Sequence, residues 1–437
     1  MKKNDIGFNG AYKLAVENAK PLGKETVPIE EAAGRILAET AVAKVNSPSV
    51  NASLKDGYAV ISEDIAEAAP ECPVELTVID SVAAGGESGV KLKRGQAVRI
   101  LSGAPLPDGA TAVLAEEFTR EFQEQTRAAN KGQMKGRSHS KGKDPSETVI
   151  TATNTAEPGR NVQPKGEDVT RGEELASAGT PVTPQIIGSL VAGGLSEFTV
   201  FRKPRVGLLA TGSEILLPGR PPVEGKLYAS NIALQQAWLN GEGIETEILI
   251  TGDTWDETAS AIEKLNSSCD VVITSGGAWK SDRDLVVKVL EALGWKMYFH
   301  RVRMGPGKPL GAGELKGKPV YILPGGPASN EAAFIMVVFP AVLKIAGYRR
   351  APYLSLSGRL EREVRGQSDW TQFIQCELPQ VHPEIILRPK KMKSRLAAMS
   401  KTPAVVTIPE GVEALPAGSV VPFLCLDRAF MGWEIGD

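Results

Sequence analysis

The chain has 437 residues, of which 42% are hydrophobic and 23% charged; this length exceeds what one core usually organises, and this composition rules out a mainly disordered polypeptide. About three domains of roughly 150 residues each are expected. Fifty Lys and Arg against 52 Asp and Glu leave a formal net charge of −2, so no global basic field points to a nucleic-acid binder or a membrane-surface protein, and any anion binding must be local.

Met1 to Phe8 lacks the apolar core of a secretory signal. The apolar run from Phe334 to Leu343 is short and interrupted by Pro340, which argues against a membrane span and for a cytoplasmic protein. Cys72, Cys269, Cys376 and Cys425 stand singly without CxxC spacing, against a disulfide framework or a structural zinc site. With only His139, His300 and His382 available, chemistry here must rest on carboxylates, lysines and backbone amides.

In chain order, the first part reads as helix near the N-terminus, strands at 74–80 and 96–101, and helix from Thr183 to Val191. Between them, Lys131 to Lys143 carries five basic residues, no carboxylate and no apolar periodicity, the pattern of a solvated tip or of a contact for an anion or partner. From Lys203 onward short apolar strands alternate with helical stretches. Strands are expected at 205–210, 245–250, 270–274, 295–302 and 319–323, and helices at 231–240, 254–265 and 281–293, with a last one ending near Ile345. Leu285, Val286, Val289, Leu290 and Leu293 fall on one helical face. This alternation predicts βαβ units and a mostly parallel sheet covered on both faces over about 203–347. Beyond Gly347, β-like runs at 353–360, 370–378, 384–388, 404–408 and 419–426 predict a small all-β domain.

In such a sheet, ligands bind beyond the carboxyl ends of the strands, where loops enter helices with free amides. Three Gly- and Ser-rich loops occupy those places: Thr211-Gly212-Ser213-Glu214, Ser275-Gly276-Gly277 running on through Lys280 to Asp284, and Pro324-Gly325-Gly326-Pro327 running on to Asn330. A fourth loop, Gly305-Pro306-Gly307-Lys308-Pro309, sets a lysine in a stiff turn. Four loops at one sheet edge suit an anionic ligand, though neither a Walker A motif nor a GxGxxG fingerprint is present. Ser281 and Asp284 also have the spacing of a helix cap. Asp56 before Gly57 also reads as a hairpin turn signal, and Gly166-Glu167-Asp168 adds two acids beside a glycine.

Taken together, these stretches resemble the bacterial molybdopterin molybdenumtransferase family. The matching segments are Ser47 to Ala59 with Asp56-Gly57-Tyr58, Val98 to Gly109, Gly166 to Asp168, Thr211 to Glu214, Ser275 to Gly277, Pro306 to Pro309 and Ile408 to Gly411, in the family's order. The resemblance implies an α/β plus β multidomain fold. Its parts are an extended linker domain from discontinuous segments 1–50 and 169–202, a β-rich lobe at 51–168 with a basic insertion near 120–150, a doubly wound α/β molybdopterin-binding domain at 203–347 and a C-terminal β-barrel at 348–437. It implies insertion of molybdate into adenylylated molybdopterin with release of AMP, Mg²⁺ as cofactor, a homodimer with a cleft shared between protomers, and handover of product to molybdenum enzymes or other cofactor-biosynthesis proteins. Asp56, Asp168, Asp284 and Lys308 then match catalytic positions. Asp56, Glu214 and Asp284 would hold metal. Thr211, Gly212, Ser213, Glu214, Ser275, Gly276, Gly277, Lys280, Pro324, Gly325 and Pro327 would bind the pterin. The chain departs from the family pattern at Trp279 and Ser281, at Gly305 in place of a lysine, at Gly326 in place of an asparagine and at Ala229 in place of an aspartate. These changes imply weaker turnover, or a divergent homologue that binds, stores or hands over the pterin without catalysis.

Overall fold

The computed structural model describes residues 5–86, 89–122, 148–276, 285–351, 353–390 and 396–427. The basic segment 131–143, and with it Gly277, Ala278, Trp279, Lys280, Ser281 and Asp284, lies outside the described residues.

The centre of the fold is a six-stranded sheet in the order Thr246–Thr251, Val206–Thr211, Val271–Ser275, Lys318–Leu323, Gly311–Leu315, Lys296–His300. The first four strands are mutually parallel, and Gly311–Leu315 runs antiparallel to both of its neighbours. Val206, Leu208, Val271, Ile273 and Tyr321 point into one apolar core, while Leu209, Val272, Val320 and Ile322 point into another. The sheet is therefore covered on both faces, the helix Leu285–Ala292 placing Val286, Val289 and Leu290 against the second core.

Two expectations change. The run read as one strand over 295–302 divides at Arg301, which has φ +75°; Val302–Gly305 leaves the central sheet and pairs in parallel with Ile6–Gly7 on one side and Thr371–Gln380 on the other. The helix Phe8–Asn18, expected with the linker segment, instead buries Ala11 and Ala15 in the first core against Phe334–Ile345. Small residues at those two positions let the helix lie close.

The helical stretch Pro327–Ile345 is longer than its apolar run suggested: it is long and apolar enough to cross a membrane, yet most of it is buried within this protein, as a core helix is. It passes through Pro340 because Phe334–Val338 widens into a π turn, with the Phe339 N–H donating to the Phe334 carbonyl. The wider turn absorbs the place where proline offers no donor.

At the C-terminal end, Thr371–Gln380, Ile386–Pro389, Leu354–Leu360, Val420–Cys425 and Ala404–Ile408 close into a five-stranded barrel around Leu360, Cys376, Leu387, Val406 and Phe423. Toward the N-terminus a second six-stranded sheet runs in the order Ala112–Ala115, Gly57–Val60, Gln96–Ile100, Val74–Val82, Thr148–Ala152, Thr119–Phe122. Its alternation sends Tyr58 and Val60 to one core and Ala59 to another. Two chain segments run side by side between these parts through three short antiparallel pairs: Lys24–Pro28 with Glu197–Phe201, Ala41–Val42 with Glu174–Ala176, and Ala52–Ser53 with Val162–Gln163.

Candidate functional site

A cavity of about 1400 Å³ opens at the carboxyl ends of the parallel strands. Thr211 to Glu214, Ser275, Gly276, Pro324 to Pro327 and Gly305 to Pro309 all line it, so the four loops singled out from sequence converge there. The charged side chains among its described lining residues are Glu214, Asp253 and Lys308.

The loops approach so closely that glycine is required at Gly276. Its φ is +107°, and a Cβ would stand 2.8 Å from the Thr211 carbonyl oxygen. Gly325 lies against it, with an added Cβ 3.8 Å from the Gly276 Cα. In the first loop the Ser213 N–H donates to Asp253 Oδ2 at 3.0 Å, and Lys226 Nζ donates to the Ser213 carbonyl.

Ser275 is held by two amides. The carbonyl oxygens of Pro324 and Gly325 can only accept, so they fix the NH₂ ends of Asn330 and Asn231, each at 2.8 Å. The same two NH₂ groups reach Ser275 Oγ at 3.0 and 3.1 Å. Asn330 is buried and accepts in turn from Gln235 Nε2 at 2.7 Å. With both acceptor sites of its hydroxyl occupied, Ser275 has only its proton left to offer, which makes it a hydrogen-bond donor for an anionic oxygen in the cavity.

Asp56 and Asp168 lie elsewhere in this chain, in neighbouring loops. The Ser102 N–H donates to Asp56 Oδ1 at 2.6 Å, and Gln163 Nε2 donates to both Asp168 carboxylate oxygens at 3.1 Å. The loops are joined because the Asp168 N–H bonds the Ser47 carbonyl at 3.0 Å and the Lys165 N–H bonds Asn51 Oδ1 at 2.8 Å. Asp56-Gly57 is not a hairpin turn: Gly57 opens the strand Gly57–Val60, where a Cβ would collide with the Leu114 carbonyl. Sequence reasoning missed Asp253, Asn231 and Trp370 as parts of the site, and had Asn330 only as the end of a loop. Asp253 carries a signal, since it follows the parallel strand Thr246–Thr251 at the same sheet edge, and so does Asn231, in the first turn of the helix Ser230–Asn240 that links Val206–Thr211 to that strand. Trp370 carries none, because it reaches the cavity from just before a barrel strand.

Residues 6–194 match the MoeA N-terminal region (domain I and II), and residues 207–344 match a probable molybdopterin binding domain. A solved molybdopterin biosynthesis MoeA protein from Pyrococcus horikoshii is 31% identical, with a TM-score of 0.80, covering 98% of this chain and 100% of that one. The chain belongs to the MoeA family. Among curated MoeA-type relatives it is 28% identical over 428 residues to the molybdopterin molybdenumtransferase of Bacillus subtilis, covering 97% of this chain and 95% of that protein. It is likewise 28% identical over 400 residues to molybdopterin molybdenumtransferase 2 of Mycobacterium tuberculosis, covering 90% and 93%. The MoeA fold accounts for the multidomain architecture, with a closed five-stranded barrel toward the C-terminus and the molybdopterin-type α/β unit carrying the cavity.

Proposed function

We propose that this protein is a molybdopterin molybdenumtransferase, which places molybdenum from molybdate on the dithiolene sulfurs of adenylylated molybdopterin and releases AMP. The observation that carries the reading is the convergence of the four loops on one cavity in a MoeA-family chain, with Ser275 left as a donor and Lys308 as a cation. Backbone amides at the ends of the parallel strands, the Ser275 hydroxyl and the Lys308 ammonium hold and neutralise the phosphate oxygens. The protein orients the pterin, and the dithiolene supplies the ligands for the metal.

The cavity's donor set suits Mg²⁺, which binds through one or two carboxylates together with phosphate oxygens and water. Glu214 and Asp253 supply the carboxylates within the cavity, and Asp284, outside the described residues, would add a third. Bound there, the ion offsets repulsion between these carboxylates and the diphosphate. Asp56 and Asp168 face no part of this cavity's lining in their own protomer, which supports a homodimer whose N-terminal β-rich sheet brings both acids to the partner's cavity. The discontinuous pairs between 24–53 and 162–201 then act as the linker domain.

A second reading, a carrier that binds the pterin without turnover, is favoured by Gly305, Gly326 and Ala229, three positions of the cavity wall that carry no polar side chain. The deciding experiment is molybdate-dependent AMP release from adenylylated molybdopterin. Turnover supports the transferase; retained pterin without turnover supports the carrier. A monomer at micromolar concentration would remove the shared cleft.

A further inference from the structure

Lys308 stands apart among the charged groups of the cavity. Among the described residues no carboxylate is paired with it; its Nζ lies instead over the Trp370 ring, 4.7 Å from the centroid. That contact crosses from the α/β unit to the barrel. Trp370 immediately precedes the strand Thr371–Gln380, whose Thr371 and Gln372 pair with Met304 and Gly305, so the indole sits beside the loop that carries the lysine. Its position is pinned from the other side: Arg303 Nε donates to the Asp369 carbonyl at 3.2 Å, Nη1 to the Asp5 carbonyl at 2.9 Å, and Nη2 approaches Glu410 at 3.4 Å. Trp370 also lines the cavity.

A carboxylate in the same place would hold the lysine equally well but cancel the charge an anionic ligand needs. An aromatic face attracts the ammonium through its quadrupole and leaves the net charge at +1. We propose that Trp370 is a positioning residue for Lys308: the barrel lends an indole face that fixes the ammonium in the cavity while keeping its charge available to a diphosphate group. The inference rests on the reading of the cavity as an anion site, and it assigns to the barrel a part in ligand binding.

The test uses the full chain with ¹³C-lysine labelling and inorganic diphosphate as probe. The Lys308 ε-methylene signal, assigned by its loss in Lys308→Arg, is expected upfield through the indole ring current and to move on titration with diphosphate. Trp370→Leu should abolish the upfield shift and weaken diphosphate binding about 3- to 30-fold, the range of a partly desolvated cation–π contact. Trp370→Phe should restore most of the affinity. In a Lys308→Met background Trp370→Leu should cost nothing further. The proposal is overturned if the Lys308 signal shows no ring-current shift, if Trp370→Leu and Trp370→Phe both bind as the parent does, or if the Trp370→Leu loss persists in full without Lys308. Thermal melting of each variant identifies a folding defect, and Trp370→Phe, which keeps an aromatic face, still decides the matter if Trp370→Leu fails to fold. Because diphosphate is the probe, this result is independent of AMP release: absence of turnover removes the transferase reading and leaves the Trp370 to Lys308 relation standing or falling on the titration.

Discussion

Glu331 offers a stability test with a defined sign. It sits in the helix Pro327–Ala333 where that helix meets the barrel, beside a small cavity lined by Pro306, Met336, Phe373 and Gln375. Burial pushes its carboxyl from an ordinary value near 4.5 up to about 7, against the opposing pull of Gln375 Nε2, which donates to Glu331 Oε2 at 2.8 Å. The folded chain therefore keeps a proton that the unfolded chain releases between about pH 4.5 and 7. The contribution of Glu331 to stability is greatest below that window, falls as pH rises through it, and is lower by about 3 kcal/mol above pH 7. Glu331→Gln keeps an acceptor for Gln375 and removes the ionisation. At pH 8 the variant should be more stable by up to about 3 kcal/mol, a rise of several degrees at roughly 2–4 °C per kcal/mol for a unit of this size. At pH 4.5 the gain should shrink to less than about 1 kcal/mol. Thermal melts at the two pH values decide it. An equal effect at both, or a variant less stable at pH 8, refutes the account of Glu331 as a carboxyl held near neutrality by burial.

Gly276→Ala should lower the melting temperature and abolish pterin binding in equilibrium dialysis, because a Cβ would stand 2.8 Å from the Thr211 carbonyl at a φ of +107°, a strain of order 1–3 kcal/mol. Gly305→Lys with Gly326→Asn should raise AMP release by about 10- to 150-fold, the value of a charge-assisted contact. Both positions have room, since an added Cβ meets nothing nearer than Trp370 at 3.9 Å at Gly305 and nothing within 4 Å at Gly326. Parent turnover equal to that of a full-motif relative measured side by side would overturn that impairment argument. Asp56→Ala, which loses one hydrogen bond from the Ser102 N–H, should shift stability by about 1 kcal/mol while removing most transferase turnover.

Much of the central sheet was legible: 205–210, 245–250 and 270–274 lie within one residue of the observed strands, the first and last because they are buried on both faces and read as apolar runs, and the edge strand between them in sequence through its Ile248-Leu249-Ile250 centre. The strand Gly311–Leu315 was not, because its sequence is shaped by neighbours rather than by β propensity. A Cβ at Gly313 would stand 2.5 Å from Trp295 Nε1, and one at Gly311 would stand 3.1 Å from His300. The barrel strands were legible from turn-bounded runs, whereas Gly57–Val60, Ala112–Ala115 and Thr148–Ala152 in the N-terminal sheet were not picked out. For the site, the glycine-rich loops were visible as composition. Asn330 was legible only as a loop residue, and its role depends on the backbone oxygen of Pro324 and the hydroxyl of Ser275, 55 residues away in sequence.

The strand Val302–Gly305 has a consequence for how the protein is made. It is clamped between Ile6–Gly7, which precedes it by almost three hundred positions, and Thr371–Gln380, which follows it by some seventy. The lysine loop directly after it therefore acquires its final support only once Thr371–Gln380 has been made. Contacts of such sequence separation are costly to close and form late. A nascent or truncated chain ending near residue 347 would hold the parallel strands and their glycine turns, yet leave Lys308 without its scaffold. The topology thus leaves the cavity incomplete in any chain that stops before the barrel strand that carries Trp370 to its wall.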